Sequence, residues 1–182
     1  MNMQRYRLPA MFALASIFYA AAHLTYEHFT GGVQSHHLLA RSDLPSFSNW
    51  LGLVVLPILG WLLGVRIRNH LASSTRTGLP VGSSAGFFGA LFYGVALAAS
   101  FELDASTISS GLFFGLFLLA VVLPIYRAEY ALGFVIGMTF TFGAVLPSLM
   151  AAVFAAVSIV VRFAFRAVAS AVRRPPHPPG VA

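Results

Sequence analysis

The rare charged residues of this chain divide it into uncharged apolar stretches. Several run for about 20 residues, the length that crosses a hydrocarbon core of roughly 30 Å. With 58% of residues hydrophobic and 9% charged, the composition is that of an integral membrane protein rather than a soluble domain. The expected fold is all-α, a polytopic membrane helix bundle over residues 1–172, ahead of a disordered proline-rich tail at 173–182.

Six spans are expected, at about 8–29, 49–65, 81–100, 107–125, 130–146 and 149–166. The first apolar run reads as a span rather than a cleaved signal peptide, because it outlasts a usual signal core and ends in Tyr26-Glu27-His28. Pro57 predicts a kink in the second span. Residues 130–161 carry no charge and as one helix would measure about 48 Å. Pro147-Ser148 near the middle favours two short spans over a single long kinked helix, the rival reading.

Every cation is an arginine, since the chain has no lysine. Six spans with the N-terminus in the cytoplasm leave only Arg41 outside among the arginines, and put both termini inside. Glu27, Asp43, Glu102 and Asp104 then fall on the outer face, and Glu129 on the inner. The net charge of +6 is thus a topology signal, and no nucleic-acid partner is expected. A bacterial inner membrane is the expected location, with the polar cluster facing the periplasm.

The absence of cysteine excludes disulfides, thiolate ligands and cysteine nucleophiles. Chemistry must come from the polar groups gathered at the end of the first span and in the loop after it. His23 and Glu27 stand four apart and share a helix face. With His28 and His36 they form the expected ligand set for a divalent transition metal, zinc first, iron or copper next. Asp43, His37 and Glu102 are the expected catalytic groups, accepting a proton from metal-bound water or completing the shell. Asn49, Trp50 and Asp104 would bind substrate, the first two by hydrogen bonding and stacking, Asp104 through a cationic group. A pairing of Glu27 with Arg41 would make that acid merely structural.

The reading this supports is a membrane-embedded metal-dependent hydrolase acting on a lipid or small amphiphile at the outer face. The alternatives are a small-solute or ion transporter or channel subunit, and a structural subunit that stabilises a partner. Membrane lipids are the expected partners. Glycine-rich faces at Gly82/Gly86 and Gly133/Gly137 are candidates for homo-oligomer contacts.

Overall fold

The structure, a computed structural model, describes residues 4–37, 43, 45–73 and 81–172. Arg41, Arg76 and the tail at 173–182 lie outside the described residues, as does any pairing of Glu27 with Arg41. The chain forms α1 (Gln4–Thr30), β1 (Ser35–His37), β2 (Ser46–Ser48), α2 (Gly52–Ser73), α3 (Val81–Glu102), α4 (Ser106–Val122), α5 (Ala128–Phe142) and α6 (Val145–Val172). The all-α bundle is therefore joined by a small β-hairpin, in which His36 pairs with Phe47 and His37 with Ser46.

Among the described residues four helices, α1, α2, α3 and α6, are long and apolar enough to cross a membrane. The expected count of six spans is corrected by α4 and α5. At 17 and 15 residues they are about 25 Å and 22 Å long, short of the roughly 30 Å core. The apolar runs behind those two expectations are longer than the helices they form. The first ends early because Leu123 is extended ahead of Pro124, a residue that disfavours helical geometry in its predecessor. The second ends at Gly143, whose φ of +66° suits glycine and not an L side chain. The assignment of sides that rested on six crossings goes with the count.

Pro147 does not separate the last two helices. It occupies the first turn of α6, where its missing N–H removes no intrahelical bond. α5 and α6 are thus distinct helices meeting at Gly143-Ala144, four residues before the expected break.

Packing relies on close backbone approach. α1 and α2 run antiparallel, with Gly64 pressed against Pro9 and Gly60 against Phe12 and Ser16. α3 and α5 run parallel, and Gly133 and Gly137 of α5 lie against the carbonyls of Phe87 and Leu91. Two apolar clusters fill the interior. Ala20, Leu56, Leu132 and Val135 bind α1 and α2 to α5, while Leu97, Leu116, Met138 and Phe154 bind α3 to α4, α5 and α6. The charges separate by end: Arg66, Arg127 and Arg162 lie where α5 begins, and Glu27, Glu102 and Asp104 at the hairpin end.

Candidate functional site

α1 carries His23 and Glu27 on the face that meets the start of α2, and both are buried. Glu27 is held by two short-range donors from the connecting segment. Asn49 Nδ2 donates to Oε1 at 2.5 Å, and the backbone N–H of Gln34 donates to Oε2 at 3.4 Å. The hairpin fixes both donors. The Asn49 N–H bonds the carbonyl of Gln34 at 3.0 Å, across the open end of the strand pair. Asn49 then opens a short 3₁₀ turn capped by Ser48, whose hydroxyl accepts from the Trp50 N–H at 3.5 Å.

The floor of the site comes from the corner between α5 and α6. Gly143 lies directly beneath the Asn49 amide, where a Cβ would collide with it. Phe140, one turn earlier, packs edge-on against the His23 ring at 4.9 Å between centroids. Strand alternation turns His36 inward and leaves Ser35 and His37 exposed. Burial pulls the His36 pKa below the usual histidine value, and the nearby charge of Glu27 pulls more weakly in the other direction.

His23 Nε2 is 3.8 Å from Glu27 Oε1. That is an electrostatic contact too long for a hydrogen bond, and among the described residues this buried nitrogen has no other partner. The site thus brings together a carboxylate, an imidazole nitrogen with unused capacity, and an amide that fixes the carboxylate.

Of the residues expected from sequence, His23, Glu27, Asn49 and His36 gather here. The others lie apart. His28 is exposed and packs on Phe29. His37 and Asp43 are exposed on the hairpin, and Trp50 is exposed beside Asn49. Glu102 is exposed at the end of α3, while Asp104 lies in the α3–α4 turn with φ +50°, lining a separate cavity of about 300 Å³ with Ser106 and Ser109.

Among the described residues, no group of three or more His, Cys, Asp or Glu stands where it could hold a metal ion. A zinc site takes three or four protein ligands. His23 and Glu27 supply two donors, and among the described residues no third stands with them. No family model matches this chain, and no curated protein or solved structure matches it. The site's chemistry must be argued from its own residues.

One buried acid escaped the sequence reading. Glu129 is fully enclosed in the first turn of α5, with Oε2 2.8 Å from Arg66 Nε. In sequence it looks like a loop acid closing a span. Its partner is remote in the chain, so local spacing carried no signal of the pairing.

Proposed function

We propose that the protein is a membrane-embedded enzyme whose acid–base pair is Glu27 and His23, hydrolysing a lipid or small amphiphile at the hairpin end of the bundle. The observation that carries this reading is the buried His23 Nε2, without a hydrogen-bond partner among the described residues, facing a buried carboxylate. A buried polar atom without a hydrogen bond calls for an explanation; the Arg66–Glu129 pair, whose atoms are in the same state, has one in its opposite charges, and His23 does not. An acid in a membrane-spanning helix is costly to bury and is a functional candidate for that reason.

In this reading Glu27 accepts a proton from water or a substrate hydroxyl, and His23 Nε2 holds the same group in place. Asn49 keeps the carboxylate oriented, and the backbone N–H of Gln34, ahead of the hairpin, holds its second oxygen. The pair could supply two ligands to a divalent transition ion, zinc foremost, while the described residues place no third His, Asp or Glu with them. Such an ion would supply a bound water of lowered pKa. The arginine-rich opposite end favours a cytoplasmic setting there, which puts the hairpin end on the outer face. With no lysine in the chain, a bacterial inner membrane remains the preferred location.

The test is to purify the chain in mild detergent, measure zinc, iron and copper by elemental analysis, and assay amphiphilic esters and phosphodiesters in mixed micelles. Glu27→Gln and His23→Ala should each lower turnover roughly 100-fold or more, as expected for loss of a general acid or base. Unchanged turnover in both variants would overturn the reading. Solute flux into proteoliposomes that survives both changes would favour a transporter. A partner complex that tolerates them but needs the α3 glycine face would favour a structural subunit.

A further inference from the structure

α3, α4, α5 and α6 surround a cavity of about 510 Å³, within the range of small-molecule pockets. Its wall is apolar, built from Leu116, Leu119, Phe134 and Phe154 with the small residues of α3. At the hairpin end α3 and α4 are pinned together. Ser109 Oγ donates to Ser100 Oγ at 2.9 Å, and Tyr93 OH donates to the carbonyl of Leu112 at 2.5 Å. Toward the arginine end the two helices stand apart, with Gly82 and Gly89 on one side of the cavity and Leu119 and Leu123 on the other.

The glycines of α3 divide into two kinds. Gly86 and Gly94 meet α5, where a Cβ would press on Tyr130 or on the Phe134 carbonyl. At Gly82 and Gly89 a Cβ would meet nothing within 4 Å. Packing among the described residues does not account for these two, and they keep the cavity wide.

The rim at the arginine end is the α4–α5 turn, which contributes Leu123 and Ile125. Arg127 caps the start of α5 two residues later. Arg162 reaches across from α6, donating to the carbonyl of Val122 at 3.1 Å with its guanidinium 6.0 Å from the Tyr126 ring. The nearby acid, Glu129, is already paired with Arg66. Two arginines, Arg127 and Arg162, thus stand beside the α4–α5 turn that borders the cavity, while the interior is apolar.

We infer that this cavity receives one acyl chain of an anionic phospholipid, with its phosphate against Arg127 and Arg162. A bilayer supplies apolar chains at this depth and phosphates at the level of the arginines. The site is separate from the Glu27 cluster and does not depend on its chemistry.

The experiment is lipid retention in mild detergent, read by native mass spectrometry and lipid extraction. The wild-type chain is compared with Gly89→Leu and with the double variant Arg127→Gln/Arg162→Gln, with thermal unfolding as a check on folding. The wild type should retain a phospholipid with an anionic headgroup. Gly89→Leu, which places a branched side chain in the cavity, should retain roughly tenfold less. The double variant should keep a lipid but lose the preference for anionic over zwitterionic headgroups. A phospholipid with a diazirine at its acyl terminus gives a measurement independent of the variants, and should label α3 and α4 around Gly89 and Leu119 in the wild type. Undiminished retention in folded Gly89→Leu, or labelling confined to other helices, would overturn the inference. So would cross-links between copies at Gly89, which would make the cavity an interface.

Discussion

Arg66 Nε lies 2.8 Å from Oε2 of Glu129, so the most deeply buried acid of the bundle has a permanent counter-charge. Their alignment falls short of a hydrogen bond, leaving a close ion pair. Glu27, at the opposite end, is held by an amide and a backbone N–H, with histidines as its nearest titratable neighbours. Glu129 thus has a full opposite charge against it, whereas Glu27 is held by neutral donors beside an imidazole, and that difference is why the proposed chemistry is put at Glu27.

Removing Arg66 alone should therefore be worse than removing both partners. Arg66→Ala strands a fully buried carboxylate, a change that typically costs about 3–5 kcal/mol, and about 3 kcal/mol is expected here because the Arg66 side chain is partly exposed. The double variant Arg66→Met/Glu129→Leu should lie close to wild type, since an apolar pair of similar volume can replace a buried ion pair. Thermal unfolding in detergent measures both. Equal destabilisation by the single and double variants would show that the pair is not the cause.

The sequence made the helices legible because apolar length and rare charges are local signals. It misplaced what depends on contacts. Pro147 looked like the break between the last helices, yet a proline in a first turn is harmless, and the chain turns at Gly143 because Asn49 occupies the space beneath it. Arg66 and Arg68 looked like the flank of a finished span, but α2 continues to Ser73 and carries Arg66 to Glu129. The hairpin was read as loop, because strands of three residues hold too few side chains to set a period. The spacing of His23 and Glu27 did anticipate their shared face. Which of the loop's polar groups would join them depended on strand alternation and on the turn at Asn49.

Gly137→Ala and Gly111→Ala should separate close packing from mere composition. A Cβ at Gly137 would run into the Leu91 carbonyl and the Val95 amide, both backbone and unable to rotate away. Overpacking of this kind costs about 1–3 kcal/mol, and parting α3 from α5 places the effect at the upper end. A Cβ at Gly111 meets nothing within 4 Å, so alanine there should be neutral or stabilise by up to about 1 kcal/mol through helix propensity. Unfolding midpoints that move together for the two variants would contradict the tight α3–α5 contact.

Asn49→Ala removes the strongest donor to Glu27 and should cost about 1–3 kcal/mol, the range for a buried polar group left without its partner. Gly143→Ala should be destabilising by a different route, through the φ of +66° and the collision with the Asn49 side chain. Because both changes loosen the same amide, the double variant should lose less than the sum of the two. Full additivity would separate the α5–α6 corner from the site.

The hairpin should loosen on acidification, and His36 sets the sign. Burial lowers its folded-state pKa below the ordinary histidine value of 6.5, with Glu27 opposing more weakly. Once the hairpin lifts away, the imidazole returns to a value near 6.5. Between the depressed folded value and 6.5 the open state binds more protons, so stability of the closed hairpin rises with pH in that window. It is fully present above 6.5 and is lost as pH falls through the folded value. Hydrogen exchange at the amides of Ser35–His37 and Ser46–Ser48, corrected for intrinsic rates, should be faster at about pH 5.5 than at about pH 7.5. His36→Gln cannot titrate in this range and should flatten the difference while leaving the strand register in place. If the pH dependence persists in that variant, another group carries it, and His36 would lose its place as the sensor on the roof of the site.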